Sequence, residues 1–156
     1  MSMTAGITIR QLSADDGLQM EALLTVFGVA FDDVDSYSSA RPQAAYLQHL
    51  LASDYFIALV ASEGSHVIGG LAAYELIKFE QQRSEVYIYD LAVAAAHRRR
   101  GIATALIREL QRIGRQRGAY VIFVQADAPD EAAIALYSKL GVREDVLHFD
   151  IPVRSS

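Results

Sequence analysis

VYIYDLAVAAAHRRRGIATAL, residues 86–106, is the stretch that decides the fold. Its first part, residues 86–93, alternates β-branched and aromatic residues without proline or glycine, which predicts a half-buried strand. From Ile102 onward the apolar residues recur at intervals of three and four, which predicts an amphipathic helix. The stretch therefore predicts a strand that leads through an arginine-rich connection into a helix.

The connection between the predicted strand and helix has the features of an anion site. The first N–H groups of a helix have no intrahelical partner, and the helix dipole places positive potential at that end. Gly101 lets the backbone approach a ligand closely, and the three preceding arginines add charge and planar hydrogen-bond donors. We therefore predict that a phosphate-like group binds here. The sequence has no GxxxxGK[ST] and no GxGxxG between a first strand and a helix, which argues against P-loop and dinucleotide sites.

Arg98, Gly101 and Ala103 match the pattern Arg/Gln-x-x-Gly-x-Gly/Ala, and YDLAV precedes them on the predicted strand. In this the chain resembles the GCN5-related N-acetyltransferase (GNAT) superfamily, whose loop of this pattern binds the pyrophosphate of acetyl-CoA. The resemblance implies acetyl-CoA as the co-substrate. The chain departs from the pattern at Ala95, where the superfamily often has proline, and this leaves the linker looser without removing any chemistry. The cofactor-binding residues that follow from this are Leu91, Ala92, Val93, Arg98, Arg99, Arg100, Gly101, Ile102, Ala103 and Thr104.

Length and composition predict one domain, residues 1–156, because 52% hydrophobic residues suffice for a single core. No apolar run approaches the ~18 residues of a membrane span and the first residues do not resemble a signal peptide, so we expect a cytoplasmic protein without a membrane partner. The lack of cysteine excludes disulfides, thiolate metal sites and a cysteine nucleophile. Because no cysteine can carry the acetyl group, we expect it to pass directly from acetyl-CoA to the acceptor. The four histidines have neither HExxH nor i,i+4 spacing, so no metal is expected.

The charge is distributed unevenly along the chain. A net charge of −5 argues against a nucleic-acid partner. Residues 1–97 carry 12 acidic and 4 basic side chains, a balance of −8, whereas residues 98–156 carry 7 and 10, a balance of +3. The first part should therefore suit a cation and the second an anion.

Periodicity and turn residues predict the element order β-α-α-β-β-β-α-β-α-β-β. This order predicts an α/β (α+β) fold with a mixed, mostly antiparallel sheet of six to seven strands and about four flanking helices. The order is similar to that of the GNAT superfamily, and this resemblance implies the GNAT acyl-CoA acyltransferase fold. Residues 31–37 are predicted to be an acidic loop, and residues 120–126 a strand buried on both faces. The predicted strands are residues 7–12, 55–62, 67–77, 86–93, 120–126, 142–144 and 147–151. The predicted helices are residues 13–31, 42–51, 102–117 and 131–140.

The resemblance extends beyond the arginine-rich connection between the predicted strand and helix. Three blocks are similar to the type I aminoglycoside 3-N-acetyltransferases, the gentamicin-resistance enzymes. This similarity implies that the protein acetylates the 3-amino group of the 2-deoxystreptamine ring of gentamicin-type aminoglycosides and thereby confers antibiotic resistance. It also allows for a homodimer. The blocks are FDDVDSYSSARPQAAYLQHLL, GGLAAYELIKFEQQRSEVYIYDLAVAAAHRRRGIATALI and GAYVIFVQADAPDEAAIALYSKLGVREDVLHFD.

Acetyl transfer to an amine needs a base, because alkyl amines are mostly protonated near neutral pH. Asp90 interrupts an apolar and aromatic strand just before the anion loop, so we predict that it accepts the amine proton, directly or through a water. The alternative is a hydrogen-bonded carboxylate that satisfies a strand irregularity. Glu85 has the opposite parity and should face the other side of an unbulged strand as a solvated charge.

Two further roles are implied by the superfamily resemblance. The backbone amides of Leu91 and Val93 would stabilise the thioester oxyanion and hydrogen-bond the pantetheine arm. Tyr137, in AIALYSKLG, matches the tyrosine that protonates the leaving thiolate, a role that suits a phenol with a reference pKa of ~10. The alternative for Tyr137 is a core tyrosine with a satisfied hydroxyl.

A polycationic acceptor should be bound by carboxylates around a cleft, since these raise both affinity and encounter rate. Each carboxylate taken singly is as readily explained as a solvated loop charge, and a tyrosine that stacks on a sugar face could instead be a packing residue. The predicted substrate-binding residues are Asp32, Asp33, Asp35, Tyr37, Glu80, Asp127 and Asp150.

Two alternatives to an aminoglycoside acetyltransferase remain open at this point. A polyamine or protein amine acetyltransferase would share all of the cofactor-binding residues. A non-catalytic acyl-CoA-binding module would share the fold but would not depend on Asp90 or Tyr137.

Overall fold

The computed structural model describes residues 2–4 and 6–154. The chain divides into two compact units, Met1–Gln125 and Ala126–Ser156. The first unit contains a β-sheet and four α-helices among its described residues, and the second contains one α-helix. No helix of the described part of the chain is long and apolar enough to cross a membrane.

The sheet of the first unit has six strands among the described residues, and they are hydrogen-bonded in chain order. Every neighbouring pair is antiparallel except the last, which is parallel because a helix connects its two strands. The predicted α/β class with a mixed, mostly antiparallel sheet is confirmed. The strands are β1 (Ser2–Thr4), β2 (Ile7–Gln11), β3 (Phe56–Glu63), β4 (His66–Ile77), β5 (Ser84–Val93) and β6 (Ala119–Val124).

Helices cover both faces of this sheet. On one face, Phe27 is buried in a cluster that also contains Phe56 and Ala58 of β3. Because side chains alternate along a strand, Ile57 points to the opposite face. That face is covered by the helix that contains the buried residue Leu106. The helices of the first unit are α1 (Gly17–Ala30), α2 (Val34–Ser38), α3 (Ala44–Ala52) and α4 (Ile102–Arg117), with a 3-10 turn at Ala95–His97.

Three features of the first unit differ from the prediction. Strand β1 was not expected, and the acidic loop contains the short helix α2, whose N-terminus is capped by Asp33 through the Ser36 N–H at 3.4 Å. Strand β6 is not buried on both faces, since Tyr120 and Val121 are exposed. Its apolar composition is that of an interior strand, but among the described residues β6 is the last strand of the sheet, and its partner there is β5.

The second unit contains α5 (Glu131–Leu140), which follows the turn at residues 126–130. The Asp130 side chain accepts the Ala133 N–H at 3.1 Å and caps this helix. The predicted closing hairpin at residues 142–144 and 147–151 is wrong, because no strand forms between residues 142 and 154. Leu147, Phe149 and Ile151 alternate as the apolar residues of a strand do, but a strand also needs a partner for its backbone groups.

Candidate active site

The start of α4 presents an open backbone. Gly101 has φ of +75°, a left-handed conformation, and an added Cβ would meet no atom within 4 Å. The Ala105 N–H donates to the Gly101 carbonyl at 3.0 Å, so the amides of residues 102–104 precede the first bond of this helix. This geometry suits an anion at the helix N-terminus.

The arginines before this helix differ in their contacts. Arg98 is exposed and donates from Nε to the Val93 carbonyl at 3.3 Å, and Arg99 is exposed with φ of +64°. Arg100 pairs with Glu63 at 3.5 Å, a contact from the β3–β4 hairpin that the sequence did not suggest. His97 Nε2 lies 3.5 Å from the same carboxylate. The diphosphate of an acyl-CoA fits this segment, because the backbone is open and cationic side chains flank it.

Two backbone amides of β5 face away from β4. The parallel pairing of β5 with β6 ends at Ile88 and Val124, so the later residues of β5 have no β6 partner. The Ala94 N–H donates to the Ile68 carbonyl on β4 at 2.8 Å. By the alternation of an antiparallel ladder, the N–H groups of Leu91 and Val93 point to the open side, whereas that of Ala92 points to β4.

A bulge in β5 reverses the predicted parity of its carboxylates. Ala72 pairs with Asp90 and Ala73 pairs with Ile88, so Tyr89 is the extra residue of this strand. Because Glu85 pairs with Leu76, which shares parity with Ala72, Glu85 lies on the same face as Asp90. The prediction that the two face opposite sides is wrong, since it assumed an unbulged strand.

Glu85 is tied to other side chains. Its carboxylate accepts the Tyr120 hydroxyl at 2.8 Å and pairs with Lys78 at 3.1 Å. These two partners lower the pKa of Glu85. Glu85 is therefore a paired carboxylate and not a solvated one.

Asp90 is partly buried and makes a short contact with α2. The Tyr37 hydroxyl donates to Asp90 Oδ2 at 2.7 Å. Burial raises the pKa of the Asp90 carboxyl, and the bond from Tyr37 partly opposes this. Burial, followed by the bond to Asp90, raises the pKa of Tyr37, which keeps the phenol protonated as a donor. The sequence suggested Tyr37 for sugar stacking and missed this contact, because 53 residues separate the partners.

The contact brings the acidic α1–α2 turn to the Asp90 side of the sheet. Asp32 has φ of +52° and lies between the two helices, and Asp35 occupies the first turn of α2. The charge of Asp33 contributes to the raised pKa of Tyr37, as expected for neighbouring groups. All three carboxylates are exposed. This turn thus supplies negative charge next to Tyr37.

The other predicted acceptor residues follow β4 or belong to the second unit. Glu80 follows β4 and pairs with Lys78 at 3.2 Å. Glu80 lies beyond Ile77, the end of β4. Ile77 is five residues along this strand from Ala72, the partner of Asp90, a distance of roughly 16 Å at the usual strand rise. Asp127 and Asp150 belong to the second unit, where Asp150 contacts His148 at 2.9 Å.

Tyr137 lies on α5 of the second unit and is half-buried. Burial, with a smaller contribution from the charge of Asp130, raises the pKa of Tyr137 to about 12. The phenol therefore holds its proton until a strong base forms beside it. Among the residues that the structure describes, no group of three His, Cys, Asp or Glu side chains is arranged to hold a metal ion.

The fold and the sequence identify the class of protein. The model of the acetyltransferase (GNAT) family matches residues 20–142, and the chain belongs to this family. Enzymes of this family use acetyl-CoA.

Two solved structures of aminoglycoside acetyltransferases are similar to this chain. The chain is 64% identical to an aminoglycoside acetyltransferase from an uncultured soil metagenomic sample, with a TM-score of 0.93 over 99% of this chain and 100% of that chain. It is 28% identical to a second aminoglycoside acetyltransferase from an uncultured soil metagenomic sample, solved in complex with sisomicin, with a TM-score of 0.88 over 96% and 97% of the two chains. The predicted relation to GNAT enzymes is thereby confirmed, and the structural neighbours include aminoglycoside acetyltransferases.

Curated relatives are more distant. N-acetyltransferase 8B from Rattus norvegicus is 28% identical over 90 residues, which cover 58% of this chain and 40% of the relative. The chain spans between about two fifths and one half of the length of the curated relatives it matches.

Proposed function

We propose that this GNAT acetyltransferase transfers the acetyl group of acetyl-CoA to the 3-amino group of the 2-deoxystreptamine ring of gentamicin-type aminoglycosides. The single observation that supports this most is 64% identity, over the whole chain, to an aminoglycoside acetyltransferase. The acidic turn beside Asp90 provides the negative charge that a polycationic acceptor requires. Acetylation removes one cationic amine from the drug, and on this basis we propose a role in antibiotic resistance inside the cytoplasm.

The donor is proposed to be held by the start of α4. The open amides of residues 102–104 and the exposed Arg98 and Arg99 would bind its diphosphate. When bound, acetyl-CoA supplies an activated acyl carbon. The outward amides of Leu91 and Val93 would donate to the thioester carbonyl and the pantetheine arm, and an amide on the developing charge is worth roughly 3 kcal/mol.

Proton transfer is assigned to two side chains. Asp90 would take the proton that the amine nitrogen loses as it bonds to the acyl carbon, directly or through a water. Its raised pKa makes it a stronger base than an ordinary aspartate. Tyr137 would donate a proton to the sulfur as the carbon–sulfur bond breaks. The chain has no cysteine to carry the acetyl group, which favours direct transfer.

A substrate panel tests this proposal. Purified protein with acetyl-CoA is assayed for free thiol with gentamicin, sisomicin, spermidine and a peptide amine, and each product is analysed by mass and NMR. We expect thiol release with the aminoglycosides and an acetyl group on the 3-amino nitrogen. Preference for spermidine or the peptide would overturn the proposed acceptor. Acetylation at another amine of the aminoglycoside would overturn the proposed regiochemistry. No thiol release with any amine would refute the enzymatic role.

A further inference from the structure

We infer that Tyr37 is a positioning residue for Asp90: its hydroxyl orients the carboxylate and stabilises the ionised form that accepts a proton. This inference rests on the proposed role of Asp90 as the base. The observation behind it is the 2.7 Å bond from the Tyr37 hydroxyl to Oδ2. Among the described residues the Tyr37 hydroxyl hydrogen-bonds to Asp90 through Oδ2, and the amine or a bridging water would use Oδ1.

Tyr37 is held at its ring and at its backbone. Its ring lies 6.1 Å from that of Phe27 and 5.9 Å from that of Phe31, centroid to centroid. The Arg41 guanidinium donates to the Tyr37 carbonyl at 2.8 and 3.2 Å and to the Thr25 hydroxyl at 3.3 Å. A phenol fixed in this way loses little conformational freedom when it bonds to the carboxylate.

A glycine on α1 permits this close packing. A Cβ added to Gly28 would lie 3.1 Å from Tyr37 Cβ and 3.3 Å from Val34 Cα. Helix α2 therefore packs directly on the backbone of α1, and this sets the distance at which Tyr37 reaches β5. The sequence places a glycine in a helix interior, where it is otherwise unfavourable, and the contact explains its presence.

The charge environment of Asp90 gives the hydroxyl a measurable role. Tyr37 from α2, Tyr74 from β4 and Tyr87 from its own strand lie near enough for the charge of Asp90 to raise their pKa values, and the charge of Asp33 acts on Tyr37 in the same direction. Burial raises the pKa of Asp90, and the bond from Tyr37 is the interaction that lowers it. Removal of that donor must therefore raise the pKa of Asp90 further.

The test is the pH dependence of kcat/KM for the aminoglycoside in Tyr37→Phe, with Ile57→Val, in the core on the opposite face of the sheet, as a packing control. A base must be ionised, so kcat/KM rises with pH through the pKa of Asp90. We expect Tyr37→Phe to lose about tenfold in kcat/KM near neutral pH and to shift the acid limb to higher pH, because bonds to charged groups are among the stronger ones. Ile57→Val should lower the melting temperature and leave the acid limb in place.

A double variant separates this inference from the function it rests on. In an Asp90→Asn background, Tyr37→Phe should add no further loss of turnover. If Asp90→Asn itself keeps wild-type turnover, the assignment of the base fails. If Asp90→Asn loses turnover but Tyr37→Phe alone keeps the wild-type acid limb, the role of Tyr37 is refuted and the base is retained.

Discussion

The arginine-rich start of α4 and the hydrogen-bonded pair of Tyr37 and Asp90 are built in different ways, although Asp90 precedes the arginines closely along the chain. The helix start is local: Gly101 and the arginines before it are consecutive, and the proposed binding groups include backbone amides. The Tyr37–Asp90 pair is long-range, because its two members meet only where α1, α2 and β5 pack together. A difference in construction should appear as a difference in function, with donor binding at one region and proton transfer at the other.

Apart from Asp90 itself, the largest effect is expected at Tyr137, the second residue to which proton transfer is assigned. Tyr137→Phe removes only a hydroxyl oxygen, and we expect it to lower kcat about 100-fold, the low end for loss of a general acid. The KM for acetyl-CoA should stay within about twofold, since binding is assigned to the start of α4. Thiol release measures both quantities. Tyr46→Phe, an equal change at an exposed position of α3, is the control. Equal loss in both variants, or none in either, would contradict the assignment.

An intermediate effect is expected at the helix start. Gly101→Ala places a side chain at φ of +75°, and the left-handed conformation costs roughly 1–2 kcal/mol although no atom obstructs the Cβ. The loop should therefore shift, and the KM for acetyl-CoA should rise about tenfold while kcat is kept.

Gly114→Ala is the matched control for this change. Gly114 lies inside α4, and its added Cβ would lie 3.5 Å from the nearest atom, in ordinary contact. This variant should gain about 0.5–1 kcal/mol in the free energy of unfolding and keep its kinetics. If Gly101→Ala binds CoA as tightly as wild type by calorimetry, the anion site lies elsewhere.

The smallest effect is expected at the acidic turn. Asp32→Asn removes a charge without backbone strain, because asparagine tolerates the φ of +52° found there. We expect the KM for the aminoglycoside to rise about threefold at low salt, the size of one exposed charge interaction, and the difference to shrink in higher salt. Asp15→Asn, at the other end of α1, should have no effect. A salt-independent change would show that charge attraction is not the cause.

The same contrast explains what the sequence could predict. The strand, the arginines and the helix start are contiguous, so periodicity and the glycine located them, and the class of the sheet followed from the element order. Three features escaped prediction because each depends on residues distant in sequence. The bulge at Tyr89 follows from pairing with β4, the Tyr37 contact from packing of α2, and the absent closing hairpin from the lack of a partner strand.

The most direct test of the central claim is a paired measurement on Asp90→Asn, CoA affinity by calorimetry and turnover by thiol release. Asparagine keeps the shape of the side chain and removes the base. The account predicts a dissociation constant for CoA within about twofold of wild type and a loss of turnover of at least about 100-fold. Turnover retained at the wild-type level, or CoA binding lost together with it, would contradict the separation of donor binding from proton transfer.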